Sequence, residues 1–564
     1  MDVLGLHIGH DSSAALVRDG NVIADVAEER FTRVKHHGRF PSAALQACLE
    51  IGGITPAEVD VVAVATVRTE PMLNYFLCLD GARREHPTIG NRVSSSLRKM
   101  AGRATEKPPI YVGRFQLSPK AEVVHVDHHL AHAASAYYTC GSTSPQLIVT
   151  MDGVGDNDTS IGIWRGEGGK ITLLKRFGSN GSLGWFYGNV TEALGWYHGD
   201  GEGKTMGLAP YGDPDKARGV LDPFYPKYAN GDLAEPHAFG IPYVWNDNGA
   251  YQWHFDEAEQ IHALIQRHGR EHVAAEAQRV LEEQAAQIIF PWLEREGLSD
   301  LCCAGGVFLN VKLNQRIWES GKVRLHHIYP NAGDAGLAVG AALQAYHSAH
   351  PSAPIGSMDH LYLGPEYSDE EIARILDARG LTYRRVDDPA VEAGRLLADN
   401  KIVAWFQGRM ESGPRALGGR SILMSPLRAE NKDIINARVK FREAFRPFCP
   451  SLLAEKAEEY LVRCRPERFM ITSFDAQPGK RDAVPAVVHV DGTLRPQTVD
   501  REINPLYWEA IKAFGDATGE YMVLNTSFNI KNEPIVCHPR EAIRCFFDTG
   551  LDHLIMGSYV LDKK

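Results

Sequence analysis

The chain has nine cysteines but no CxxC pair, and their number is odd. Cys48, Cys78, Cys140, Cys302, Cys303, Cys449, Cys464, Cys537 and Cys545 are scattered along it. This excludes a disulfide framework and a zinc knuckle, and it fits a reducing compartment. There is also no run of about twenty apolar residues, so no helical membrane span is expected. The opening MDVLGLHIGHDSS has neither a charged n-region nor an apolar h-region, so no secretory signal is expected. A basic excess is missing too. The net charge of −11 argues against a surface that coats nucleic acid. These absences predict a cytoplasmic protein with no membrane or nucleic-acid partner.

At 564 residues the chain exceeds the usual size of one domain, and 44% hydrophobic with 23% charged residues is a globular composition. The first stretch reads strand, Gly turn, strand, strand: VLGLHIG, AALVRDG, NVIADV, with a hairpin at Asp19-Gly20-Asn21. Residues 42–53 read as an amphipathic helix and 59–66 as a buried strand. The opening pattern returns in residues 147–177 as strand, Gly/Asp turn, strand, Gly-rich hairpin, strand. This duplication resembles the actin/sugar-kinase type of ATPase fold, in which two similar α/β halves face a nucleotide cleft. Residues 67–120, with Arg83, Arg84, Arg98, Lys99 and Arg103, read as a solvated insertion or part of an acceptor wall. Residues 213–255 read as a second insertion, and 256–297 as long helix. Residues 347–360 have a linker composition. Helix and strand alternate after them, which predicts a second α+β or α/β domain.

The chemistry concentrates around VDHHLAHAAS, residues 126–135. His128 and His132 are four apart, so on a helix they share one face and can grip one metal ion. His129 points elsewhere. The helix would start at the carboxyl end of a strand, where α/β proteins place ligands. Asp152, ending LIVTMD, and Asp334, in a loop before a small-residue helix, could complete a two-His, two-carboxylate set. Such a set suits Fe(II), Mn(II) or Zn(II). Taken singly, each Asp could equally be a cap or turn residue. Gly305-Gly306 follows a strand and would let a nucleotide lie against backbone. The helix after Asp334 could face a phosphate with its amino-terminal N–H groups. Lys204 sits in what reads as a Gly-flanked loop; it is a nucleotide-binding candidate, although a solvated lysine is the plainer reading. His10, after the first Gly turn, is a candidate general base for an acceptor hydroxyl.

The motifs EERFTRVKHHGRFP, DHHLAHAASAYY, MDGVGD, EGKTMGLAPYG, AGGVFLN and PNAGDAG, in this order, resemble the carbamoyltransferase family of the NodU/TobZ/CmcH type. GPRALGGRSIL, ARVKFREAFRPF, RPQTV and LNTSFN continue the resemblance to the end of the chain. It implies an α/β architecture of two parts: a TsaD-like, actin/sugar-kinase-like domain at 1–350 and a YrdC-like α/β domain at 358–564. It also implies Fe(2+) or another divalent metal on His128, His132, Asp152 and Asp334, catalysis by His10 and Lys35, and nucleotide contacts at Gly305, Gly306 and Asn310. In the second domain it favours Arg415, Lys440, Arg446, Arg495, Ser527 and Asn529 as adenylate or carbamoyl-phosphate ligands. Arg428, Arg438 and Arg442 read as surface charges paired with nearby acids. The implied activity is ATP-dependent O-carbamoylation of a small natural product, an antibiotic, toxin or signalling glycolipid. Carbamoyl phosphate and ATP, with Mg(2+), would give carbamoyl-adenylate, and the carbamoyl group would pass to the acceptor hydroxyl. A homodimer is compatible with the resemblance. The alternatives are a tRNA threonylcarbamoyl-type modifying enzyme, disfavoured by the acidic charge, and an actin-like ATPase scaffold, which leaves the metal set unexplained.

Overall fold

The computed structural model describes residues 1–67, 111–239, 243–245, 251–253 and 256–563. Arg83, Arg84, Arg98, Lys99 and Arg103 therefore lie outside the described residues. The architecture is mixed α/β, built on two five-stranded sheets and one of eight strands.

The first sheet holds β1 (Asp2–His7), β2 (Ser13–Arg18), β3 (Asn21–Ala27), β4 (Val61–Val64) and β5 (Glu122–His125). Its order is β3-β2-β1-β4-β5. β1 pairs antiparallel with β2 and parallel with β4, which is parallel to β5. The β2–β3 turn has Asp19 and Gly20 both at positive φ, the conformation that matches strand twist in a two-residue hairpin. The second sheet holds β6 (Gln146–Met151), β7 (Thr159–Glu167), β8 (Lys170–Gly178), β9 (Asp300–Ala304) and β10 (Leu325–Ile328). Its order, β8-β7-β6-β9-β10, repeats the first sheet strand for strand, with the same antiparallel and parallel pairings. The sequence duplication is thus a duplication of topology. β6 and β9 are buried along their whole length, as the central strands of a covered sheet must be.

Small residues join the two sheets. Helix α1 (His128–Tyr137) follows β5, and helix α2 (Leu337–Ala349) follows β10. A Cβ on Gly340 of α2 would lie 1.8 Å from the Ala131 carbonyl oxygen, and one on Gly5 of β1 would lie 1.9 Å from that of Ala338. Only glycine permits either approach. α2 also extends to Ala349, so the stretch 347–360 begins inside a helix. Beyond it Met358, Leu361 and Leu363 are buried in the core shared by the two sheets. Within 347–360 itself only His347 and Met358 are buried, and most of the residues between them are exposed.

The third sheet comprises β11 (Arg384–Arg385), β12 (Val403–Phe406), β13 (Arg420–Met424), β14 (Cys449–Leu453), β15 (Gln497–Val499), β16 (Met522–Ser527), β17 (His553–Met556) and β18 (Tyr559–Asp562). Its order is β11-β18-β17-β12-β13-β16-β14-β15. Side chains from before and after residue 350 interlock. Arg33 donates to the Pro534 and Ile535 carbonyls at 2.6 and 2.7 Å, and Arg30 to that of Gly413 at 2.8 Å. Among the described residues no helix is long and apolar enough to cross a membrane.

Candidate metal centre and transfer site

α1 starts where β5 ends because Asp127 caps it, accepting the Leu130 N–H at 3.1 Å. Buried Asp156 accepts the His128 N–H at 3.1 Å and the Val67 N–H at 2.9 Å, which fixes the helix start from the other sheet. The i, i+4 spacing then brings the His128 and His132 rings to 4.8 Å between centroids. Asp152 sits one residue past β6, and Asp334 opens the turn into α2. His132 Nε2 is 3.0 Å from Asp152 Oδ2 and 3.6 Å from Asp334 Oδ1; His128 Nε2 is 3.6 and 3.7 Å from the same two atoms. Donors bound at about 2.0–2.2 Å around one tetrahedral ion stand about 3.3–3.6 Å apart. His128 Nε2 is buried and has no hydrogen-bond partner, which an ion would supply. The four residues therefore fit a divalent metal of N/O preference.

The ring of His129 is spent on structure, with Nδ1 2.8 Å from Thr150 Oγ1 and Nε2 2.9 Å from the Thr159 carbonyl. Burial, with the neighbouring His128 and His132, drives its pKa well down, so it stays neutral. His132 goes the other way. Burial opposes its charge, but Asp152 and Asp334 outweigh this and raise it to about 9. Burial likewise pushes Asp152 up, and the two imidazoles pull it well below the usual carboxylate range. His132 and Asp152 thus face each other as an ion pair at 3.0 Å.

A second network adjoins the first. The His7 ring contacts the His10 carbonyl at 2.8 Å and lies 3.8 Å from Asp334. His10 Nδ1 is 2.9 Å from Asp11 Oδ2, and His36 Nδ1 is 2.7 Å from Asp11 Oδ1. The two imidazoles stack at 4.9 Å. Asp200 Oδ1 lies 3.3 Å from His36 Nε2 and 2.7 Å from Lys35 Nζ. Asp11 holds its place at a φ of 62°, in the left-handed region. Burial works against charge on His36, yet Asp11 and Asp200 raise its pKa to about 10. His10 is raised in the same way, mainly by Asp11 against burial.

The third cluster is cationic. Arg415, Arg442, Arg446 and Arg495 crowd together around the start of β14. Burial first, and then the neighbouring guanidiniums, lower Arg415 and Arg442 to about 9. Arg415 makes no hydrogen bond or ion pair among the described residues, and the carboxylate nearest the cluster's ion pairs is Glu443, 3.9 Å from Arg446. Lys440 ends a π-helical turn, Asn436–Lys440, followed by Phe441 at a φ of 47°. Its buried ammonium meets the Asn529 Oδ1 at 2.7 Å and the Ser527 carbonyl, and burial holds its pKa well below the ordinary lysine value. Four like charges with only Glu443 and Asp200 acting on them are an arrangement that an anion stabilises. Asp200 is close enough to act on Arg446, and Lys35 on Lys440, so this cluster faces the His10 network.

Residues 2–343 match the family model described as Carbamoyltransferase N-terminus, and residues 394–563 match Carbamoyltransferase C-terminus. The chain belongs to the carbamoyltransferase family. Nodulation protein NolNO of Sinorhizobium fredii is 38% identical over 572 residues, covering 98% of this chain and 79% of that protein. Uncharacterized protein sll1178 of Synechocystis sp. is 35% identical over 596 residues, covering 98% and 95%. Nodulation protein U of Rhizobium fredii is 27% identical over 548 residues, covering 93% and 89%. The protein is thus a transferase.

Several residues of this carbamoyltransferase sit differently from the sequence reading. Lys204 is not in a loop: it lies on the helix Glu202–Leu208, and its Nζ is 3.8 Å from Glu443 of the arginine cluster. Asn310 caps the helix Val311–Glu319, and its amide exchanges hydrogen bonds with Gln278 at 2.9 Å. Gly305 has a φ of 101° and packs on the Met151 backbone; a Cβ on Gly306 would meet Asp152 Oδ1 at 3.1 Å. Arg438 pairs with Asp552 at 2.7 Å, as a surface charge should, but Arg442 has joined the cluster. His36, Asp200 and Asp156 escaped the sequence reading. The one available signal was the density of histidine and charge in residues 28–37.

Proposed function

We propose that this carbamoyltransferase is an ATP-dependent O-carbamoyltransferase acting on a hydroxyl of a small natural product. On this reading residues 1–350 form the transfer domain and 358–564 the adenylate-forming domain. The observation that carries it is the presence in one molecule of a two-His, two-Asp donor set and an arginine cluster, with Asp200 linking that cluster to Lys35 and His36 of the His10 network.

In the arginine cluster, carbamoyl phosphate reacts with water to release phosphate and leave carbamate. A carbamate oxygen then attacks the α-phosphorus of ATP, which arrives with Mg(2+), and pyrophosphate departs, giving carbamoyl-adenylate. Arg415, Arg446 and Arg495 suit these anions because guanidinium forks match phosphate and carboxylate oxygens, while Lys440 is a point charge held beside Ser527 and Asn529. Gly305, Gly306 and Lys204 are candidate nucleotide contacts of the transfer domain, with the Asn310 amide already committed to Gln278.

For transfer, His10 takes the acceptor's hydroxyl proton at Nε2 while Nδ1–H donates to Asp11, the orientation logic of a base held by a carboxylate. The hydroxyl oxygen bonds to the carbamoyl carbon, the bond from that carbon to the phosphate oxygen breaks, and AMP leaves with the electron pair. Lys35, steered by Asp200, offers positive charge to the leaving phosphate. A divalent ion on His128, His132, Asp152 and Asp334, Fe(2+) in this reading, supplies further positive charge to a carbonyl oxygen and a phosphate that grow more negative.

The test is to mix the protein with carbamoyl phosphate and ATP and look for carbamoyl-adenylate and pyrophosphate by mass spectrometry. Their absence overturns the reading. His128→Ala is expected to abolish transfer to alcohol acceptors and leave adenylate formation intact; loss of both steps overturns the division of labour.

A further inference from the structure

A short relay of contacts joins Lys35 of the transfer site to Asn529 beside Lys440, and Arg33 stands at its centre. Arg33 closes the helix Glu29–Thr32, donating its backbone N–H to the Glu29 carbonyl at 3.0 Å. At a φ of 61° it turns the chain towards Lys35, two residues on. Its guanidinium crosses to the other part of the chain and clasps two consecutive carbonyls, those of Pro534 and Ile535, with a different nitrogen on each. Glu541 Oε2 lies 3.3 Å from Nη1, and Glu533 Oε2 lies 3.8 Å from Nη2. The carbonyl of Glu533, one residue before Pro534, accepts the Asn529 amide N–H at 2.6 Å. The oxygen of that amide holds the Lys440 ammonium. Around the relay, Phe31 packs on buried Met410, Ile535 and Cys537, and Arg30 is bound to Gly413 in the loop that carries Arg415. A helix of four residues thus touches two loops that furnish the anion site.

A guanidinium fork on two carbonyls fixes a direction as well as a distance, whereas an ammonium acts as a point charge. The grip uses N–H groups that a guanidinium carries at any working pH. None of the hydrogen bonds or ion pairs of the Arg33 side chain is to a residue assigned to the reaction, so it acts through what it holds. We propose that Arg33 is a positioning residue that couples the two sites. Through the Pro534 and Ile535 carbonyls it sets Lys35 against the Asn529 loop, so that filling the anion site also orders the segment carrying Lys35 and His36. This coupling rests on the arginine cluster being the place where adenylate forms.

The experiment follows amide hydrogen exchange in the full chain, with and without carbamoyl phosphate and ATP, alongside pyrophosphate release and Tm. The amides of Phe31, Thr32 and Arg33, bonded to the Glu28 and Glu29 carbonyls, report one end of the relay. Those of Asn529, Glu533 and Val536 report the other. In the parent both sets are expected to slow together when the two substrates are added. Arg33→Lys keeps the charge and loses the fork. There the slowing at 31–33 is expected to shrink about tenfold, the worth of one charge-assisted bond, while that at 529–536 stays within about twofold of the parent. Arg33→Gln loses the charge as well and shrinks it further. A purely structural arginine gives another result: Tm falls and exchange at 31–33 quickens by one factor with and without substrates, which overturns the coupling. Should one variant fail to fold, the other decides alone, and the parent tests the coupling without either. Pyrophosphate release with no slowing at 31–33 overturns it and spares the adenylate reading; no pyrophosphate at all overturns both.

Discussion

Asp25 is a carboxylate buried where the two parts of the chain meet, and its removal has a calculable effect. It lies in β3 with 1% exposure. Its Oδ2 accepts hydrogen bonds from the Ser412 hydroxyl and from Asn331 Nδ2 at 3.3 Å, while its Oδ1 is buried without a partner. Ser412 belongs to the loop that carries Arg415, and Asn331 to the loop that carries Asp334. Burial raises the pKa of Asp25 to about 6; the hydrogen bonds and the charge of Arg30 pull it down but do not win. Moving a carboxyl from its unfolded value near 3.8 to about 6 corresponds to about 3 kcal/mol. The folded pKa is the higher one, so the unfolded chain loses its proton first. The cost is therefore absent below about pH 4, grows as pH rises, and is fully present above about pH 6. Asp25→Asn keeps the shape and removes the charge. Urea unfolding followed by circular dichroism from pH 4 to pH 8 should show the two proteins diverging, with Asp25→Asn about 3 kcal/mol more stable at the upper end. Other groups contribute equally to both curves and cancel in the difference. Parallel curves would refute the assignment of a strained, charge-bearing Asp25 at this junction.

Two further outcomes concern the site itself. Because His132 carries a proton up to about pH 9 when no ion is present, metal binding at pH 7 must expel it. Calorimetry in buffers of different ionisation enthalpy should find about one proton released per ion, and affinity should rise with pH until about 9. Asp11→Asn replaces the acceptor shared by His10 and His36 with an amide, favours the wrong His10 tautomer, and should cut the rate of carbamoyl transfer about 10³-fold or more while adenylate formation persists.

The sequence made some of this legible and hid the rest, for physical reasons. The duplicated strand-turn-strand pattern was readable because alternation, Gly turns and apolar runs are local, and it became two sheets of identical order. His128 and His132 could be placed together because helical spacing alone puts them there. Asp152 and Asp334 could be named as strand-end and loop carboxylates, but their distances depend on α2 sinking between the sheets. Lys204 was misplaced because glycines at 201, 203 and 207 read as loop, whereas the packed surroundings of that segment support a helix. Arg442 read as a surface charge because its own neighbourhood contains Glu443; only the fold brings Arg415 and Arg495, far along the chain, into its field. Asp11, His36 and Asp200 form one network from three separated segments, and no local pattern announces such a meeting.

The two glycines that let α2 sink against Ala131 and β1 have a mechanical consequence. A helix seated on bare backbone at both contacts cannot slide or roll without lifting out of its groove, since no side chain is there to flex. α1, which carries His128 and His132, and the turn into α2, which carries Asp334, are consequently locked against each other. The spacing of those three side chains is therefore set by how two helices pack, a fixed frame for any ion they would hold.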